Sequence, residues 1–539
     1  MRATGLGVDM NFAGRAAVMV AIAMTVVACS RNKETAQPVM DVGAAAKAIA
    51  EQLEKDCAAL ATLRVADVEI KSAAPRDSAA PGPGACRVEG LIDGTIGFEL
   101  LLPHQWNGKF LMGGGGGYMG NLTNFAQLPE MTMGRPALER GYATASTDSG
   151  HQGNFVDAEW ALGNPLAREN FAHRAVHRTT EVSKQIIATY YPRKLERSYF
   201  FGCSRGGGHG LMMAQRYPQD FDGIVAGAPA FDWTGMMVEF LQNQQAVVPD
   251  PAGARSSVIT TENRKLLADS LLKSCDALDG AADGIIGDPR ECKFDPATLP
   301  RCAETQTSGC VTRRQLAAIR AVYADALIGE ERIYPGPPFG GENDAGGWDV
   351  WMTSPAAGPL QPGTPNLHFA FGLQFARNFV FEDPAWTYVG YDFADWRERT
   401  AELSKLLDAT DPDLRKFRDR GGRLILWHGW SDSALPATRT VEYYEAATKV
   451  DPGLNSYARL FMMPGVGHCG GGPGHDRADW IGALEQWVEK RAAPDEVKAS
   501  RMDSTGAKLA ERPVCAWPQR AQLLSDGDPN SASGWHCAD

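Results

Sequence analysis

Positive charge is in short supply in this chain. Lys and Arg number 53 against 65 Asp and Glu, so the net charge is −12 at neutral pH. A polyanion such as nucleic acid is therefore excluded as a natural partner, and anionic polymers gain no electrostatic help. Long apolar runs are also scarce. The only candidate is Ala16 to Ala28, which is too short to span a bilayer comfortably. There is no internal repeat, and the glycine run Gly113–Gly117 is not followed by Lys-Ser or Lys-Thr, which argues against a phosphate loop. Histidine is sparse as well, with ten in 539 residues, and His428, His468 and His475 lie in the C-terminal part.

The most informative segment is Gly202-Cys203-Ser204-Arg205-Gly206. Ser198–Phe201 before it reads as a buried strand. Gly207 onward reads as a short helix ending at Tyr217-Pro218. Strand, tight turn and helix would put the Ser204 hydroxyl at the tip of a parallel sheet. The alternative is a glycine-rich turn whose serine only caps the helix.

A base and an acid follow in the order that an α/β hydrolase needs. Arg423–His428 predicts a strand running into Gly429-Trp430-Ser431-Asp432. Tyr457–Met463 predicts another, running into a glycine-rich loop that carries His468. Asp432 and His468 are the expected acid and base, with His475 as the rival base. His428 is expected to line the substrate pocket. Cys203 precedes Ser204 and Cys469 follows His468. If serine and histidine meet, the two sulfurs come within disulfide reach; otherwise they are buried thiols.

This Cys-Ser, Asp, His-Cys arrangement resembles the tannase and feruloyl esterase family of α/β hydrolases. So does Asp222–Ala230, and the likeness runs from about Cys57 to Cys537. The resemblance implies an α/β-hydrolase fold with a large inserted lid, and a serine esterase acting on feruloyl- or galloyl-type aromatic esters. A hydrolase of mono(2-hydroxyethyl) terephthalate-like monoesters is the alternative, since the family includes such an enzyme. A non-catalytic ligand-binding lipoprotein and a peptidase or acyltransferase remain as lesser readings.

The chain divides accordingly into a core over 43–230, a lid over 231–412 and a second core part over 413–539. The aromatic segment Phe369–Tyr391 either lines a pocket for a flat acyl group or forms lid core. Arg377 is its only arginine, and it does not align clearly with a carboxylate clamp for terephthalate monoesters. Lys109–Met112 predicts a strand feeding the glycine run, so the oxyanion donors are expected from Gly116 and from Arg205, the residue after the nucleophile.

Residues 1–29 read as a lipoprotein-type signal ending Val26-Val27-Ala28-Cys29, with lipidation at Cys29 and a polar tether over 30–42. Ordinary secretory cleavage is the other possibility. Either route exports the protein, and the membrane is met only through the anchor. Setting Cys29 aside leaves ten of the eleven cysteines. The resemblance pairs them as Cys57–Cys86, Cys203–Cys469, Cys275–Cys292, Cys302–Cys310 and Cys515–Cys537. It also implies a structural calcium ion in the lid, held by Asp276, Asp279 and Asp283 and by the carbonyls of Ala281 and Ile285. Without the ion this is an acidic, solvated turn. No organic cofactor is expected.

Overall fold

Nine strands form one sheet in the computed structural model, which describes residues 52–76, 82–252, 256–353 and 364–539. The signal segment, the tether and Cys29 lie outside the described residues. The strands are β1 Val68–Pro75, β2 Ala85–Ile92, β3 Ile96–Pro103, β4 Lys109–Gly113, β5 Ala143–Thr147, β6 Arg197–Cys203, β7 Gly223–Gly227, β8 Arg423–Gly429 and β9 Ala458–Met463. Their order is β1-β2-β3-β5-β4-β6-β7-β8-β9. The β1, β2, β3 and β5 neighbours pair antiparallel. From β5 onward every pairing is parallel.

The central strands are apolar without alternation because helices cover both faces. β7 is buried throughout and β8 is buried after its first residue. The strands expected before the serine, the acid, the histidine and the glycine run are β6, β8, β9 and β4. This is the α/β-hydrolase fold.

Nearly two hundred residues separate β7 from β8. They form the helices Trp233–Val247, Thr261–Cys275, Arg313–Tyr323, Leu367–Phe375 and Trp396–Leu407, with a small ribbon of Ala326–Ile328 and Glu331–Tyr334. One apolar cluster lies wholly inside this insertion, from Val247 to Met352. A second joins it to the first core part, where Tyr118 and Phe171 pack with Trp233, Phe371 and Phe379. Helix Leu367–Phe375 is buried at every position but Gln374. Gly372 lets it approach its neighbour closely, since a Cβ there would lie 3.0 Å from Leu241.

All five implied disulfides are present, with Cα–Cα distances from 5.0 to 5.9 Å. They suit an oxidising compartment. Among the described residues no helix is long and apolar enough to cross a membrane.

Candidate active site

Ser204 sits between β6 and the helix Arg205–Arg216 with φ 59° and ψ −125°. That conformation is costly for a residue with a side chain, by about 1–3 kcal/mol. The surroundings enforce it. The Ser204 N–H donates to the Gly227 carbonyl at 3.0 Å, and its own carbonyl accepts from Gly208 at 3.0 Å and Ala230 at 2.9 Å. Glycines make the turn possible by contact: a Cβ on Gly207 would lie 2.2 Å from the Gly227 oxygen.

Ser204 and His468 line one cavity of about 360 Å³. The Cys203–Cys469 disulfide ties their neighbours together at a Cα–Cα distance of 5.9 Å. His468 Nδ1 lies 2.8 Å from Asp432 Oδ2. With Nδ1 donating to the carboxylate, Nε2 is the nitrogen free to take a proton. The His468 ring is braced edge-on by Trp351, with centroids 4.9 Å apart.

Asp432 is buried, and burial alone would raise its pKa. The charges and hydrogen bonds of His468 and His428 outweigh that and hold the carboxyl well below its usual range. Its Oδ1 also accepts from the Ala434 and Leu435 N–H groups at 2.8 and 2.9 Å.

His428 corrects an expectation. It does not line the cavity. Its side chain is 1% exposed and lies behind Asp432, with Nε2 3.0 Å from Oδ2 and Nδ1 2.8 Å from the Thr440 hydroxyl. It is the penultimate residue of β8, and these contacts make its side chain a support for the acid rather than for the substrate. His475, the rival base, does not line the cavity either. Burial, with Arg512 and Arg501 nearby, pulls its pKa down to about 4.

Gly116 and Arg205 both reach the cavity. The Arg205 N–H opens a helix and has no intrahelical acceptor. The Gly206 N–H, by contrast, is taken by the Gly115 carbonyl at 2.9 Å. The Arg205 guanidinium is buried between Phe171 and Trp233, at 4.3 and 5.0 Å from the ring centroids. It donates to the Phe171 and Ala172 carbonyls at 2.9 and 3.0 Å. Those carbonyls lie in a π-helical turn, Asn170–Arg174, where the ordinary helical ladder is interrupted.

Of the aromatic segment Phe369–Tyr391, only Phe371 reaches the cavity. Others pack in the lid core and against the first core part, as Phe375 does on Phe379 at 5.1 Å, Phe381 on Trp386 at 4.6 Å and Phe379 on Tyr118 at 6.2 Å. Arg377 donates to the Trp386 carbonyl at 2.9 Å. The apolar wall comes instead from Trp233, Met236, Phe240, Trp351 and Leu435. The spacing of 233, 236 and 240 places them on one helix face, a signal the sequence carried.

In the acidic loop, Asp276 Oδ1 accepts from the N–H groups of Asp283, Gly284 and Ile285 at 3.2, 2.9 and 3.2 Å. Arg512 pairs with Asp279 and lies 3.8 Å from Asp283. Burial raises the Asp283 pKa, and the neighbouring carboxylates of Asp279 and Asp276 add to the rise against the pull of Arg512. Carboxylates and loop carbonyls are the hard-oxygen kind of ligand that calcium takes. Among the described residues their side chains do not converge as a three-ligand centre.

The family described as tannase and feruloyl esterase matches residues 83–538. Mono(2-hydroxyethyl) terephthalate hydrolase of Piscinibacter sakaiensis is 34% identical over 87% of each chain. A probable feruloyl esterase of Arthroderma benhamiae is 32% identical over 82% of each chain. The crystal structure of feruloyl esterase B from Aspergillus oryzae superposes with a TM-score of 0.78 at 26% identity, covering 90% of this chain and all of that one. The chain therefore belongs to the tannase and feruloyl esterase family and is a carboxylic ester hydrolase.

Proposed function

We propose that the chain cleaves esters of aromatic acids through an acyl-enzyme on Ser204. The observation that carries this is the position of His468, hydrogen-bonded to Asp432 on one side and lining the Ser204 cavity on the other. His468 Nε2 takes the Ser204 proton as the hydroxyl attacks the ester carbonyl. Asp432 holds the ring and stabilises its charged form. The N–H groups of Gly116 and Arg205 receive the oxyanion, each worth about 3–4 kcal/mol in such sites. The alcohol leaves with the proton from His468, and water then releases the acid.

The acyl group is flat and apolar because the wall is aromatic and aliphatic. Terephthalate monoesters are the second reading, favoured by the relative that bears that activity in its name. Against it, among the described residues no Lys or Arg lines the cavity except Arg205, whose guanidinium is spent on backbone carbonyls. Residues 231–412 act as the lid that carries this wall. A calcium ion held by Asp276, Asp279, Asp283 and the Ala281 and Ile285 carbonyls would brace the lid. Its support is the raised pKa of Asp283, caused first by burial and increased by the Asp279 and Asp276 carboxylates, and its proposed role is structural. Export with a lipid anchor at Cys29 is proposed from the sequence alone.

The test is hydrolysis of methyl ferulate, methyl gallate, a terephthalate monoester and a short aliphatic ester by wild type and Ser204→Ala. Preference for an aromatic acid ester with a dead variant supports the proposal. An equally active variant removes Ser204 as the nucleophile, and a wild type that cleaves nothing turns the reading toward ligand binding. An added alcohol or amine acceptor would expose transfer in place of hydrolysis.

A further inference from the structure

Apart from Ser204, Arg205 and His468, the polar side chains lining the Ser204 cavity are those of Asn121 and Thr123. Trp233, Met236, Phe240, Leu367, Phe371 and Leu435 form part of its wall, and all six are buried. Asn121, Thr123 and Phe155 line it too, but Asn121 is exposed, Thr123 is half-buried and Phe155 is 46% exposed. The buried side is the deep end and the exposed side is the rim. An ester has two halves: the flat aromatic acid buries its ring faces against this wall, whereas a polyhydroxylated alcohol would lose its hydration there without finding partners. The acid half therefore enters, and the alcohol half stays at the rim.

Asn121 is oriented for that half. The Thr123 N–H can only donate, and it meets Asn121 at 3.0 Å, so the receiving atom is the amide oxygen. The Thr123 hydroxyl bonds the same oxygen. The NH₂ group is left without a protein acceptor among the described residues. The rim is also fixed to the glycine run. The Tyr118 N–H donates to the Phe155 carbonyl at 2.7 Å, and the Gly153 N–H to the Gly120 carbonyl at 3.0 Å. Asn121 and Phe155 are thus held in place relative to Gly116.

We propose that Asn121, set by Thr123 and flanked by the Phe155 ring, is an alcohol-side specificity site. Its amide donates to a hydroxyl of a polyhydroxylated alcohol esterified to the aromatic acid. This rests on the ester-cleaving reading above.

The test uses the glyceryl and propyl esters of ferulic acid, which share the acid and the carbon count and differ in hydroxyls. Both form the same acyl-enzyme, so any difference in kcat/KM arises at or before acylation. Wild type is expected to prefer the glyceryl ester by about 5- to 10-fold, the worth of one or two hydrogen bonds. Asn121→Ala should bring the glyceryl ester down to the propyl level and leave the propyl ester within about twofold. No preference in wild type, or an equal drop on both esters in the variant, overturns the proposal. A folded wild type that cleaves neither ester instead removes the ester-cleaving reading, and the alcohol site with it.

Discussion

His428 faces Asp432 across 3.0 Å where neither side chain meets solvent. Its Nε2 lies near two acceptors, Asp432 Oδ2 and the Leu435 carbonyl at 3.1 Å, so that nitrogen carries the proton. Nδ1 then accepts from the Thr440 hydroxyl. The acid's position thus depends on a second histidine that never touches the cavity.

Replacing His428 by Ala should lower kcat with little change in KM. A hydrogen bond to a charged group is worth about 1.5–3 kcal/mol, or roughly 10- to 150-fold in rate. Thr440→Val should show a smaller loss, because it only orients His428. Steady-state kinetics on one aromatic ester decide the matter. A raised KM with unchanged kcat would return His428 to a substrate-binding role.

Cys203 and Cys469 flank Ser204 and His468, so the disulfide's main effect falls on the geometry of those two loops. Cys203→Ser with Cys469→Ser should cut kcat by at least about tenfold, given how steeply rate follows alignment. The loss of stability should be about 3–5 kcal/mol for so long a loop. Activity and circular dichroism of the double variant would be followed against temperature. Full activity at temperatures where the variant is folded would show that the bond serves only stability.

The positions proposed to carry chemistry were legible because each follows a buried strand, where an apolar run stops abruptly at a polar or glycine-rich turn. Ser204 after β6, Asp432 after β8 and His468 after β9 share that signature. The substrate wall was not legible in the same way. The run Phe369–Tyr391 is rich in aromatics, but of these only Phe371 reaches the cavity. The residues that reach the cavity come from separate elements, among them Phe155, Trp233 and Trp351, and only the tertiary fold brings them together. His428 was misplaced for a related reason. The apolar run of β8 tells that its side chains are buried, but not whether one faces the cavity or supports the acid from behind.

Chelation tests the acidic loop. If calcium neutralises Asp276, Asp279 and Asp283, EGTA should lower the melting temperature of the wild-type protein, and added calcium should restore it. The effect should follow RT ln(1 + [L]/Kd), about 2.7 kcal/mol at a hundredfold excess over Kd. Asp276→Asn should abolish the calcium response. A melting temperature indifferent to EGTA and calcium would leave Arg512 as the loop's counter-charge.

Asp148 sets a pH dependence of known sign. Burial pushes its pKa up to about 6, against the pull of its hydrogen bonds from Gly150 and Gly97, both at 2.8 Å to Oδ1. The folded state holds this proton more tightly than the unfolded chain, whose carboxyl titrates near 3.9. The associated stability is therefore complete below about pH 4 and is lost as pH rises through about 6. Asp148→Asn keeps an oxygen for the two N–H groups and removes the charge. It should raise stability at pH 7 by on the order of 2–3 kcal/mol and have little effect at pH 4. Asp408, pushed up to about 7 by burial and by the nearby Asp232, acts with the same sign. The wild-type curve therefore mixes both groups, and only the difference between variant and wild type isolates Asp148. Melting temperatures of the two proteins measured from pH 4 to 7 should diverge as pH rises. Parallel curves would mean that Asp148 is ionised throughout, and that its two N–H donors outweigh its burial.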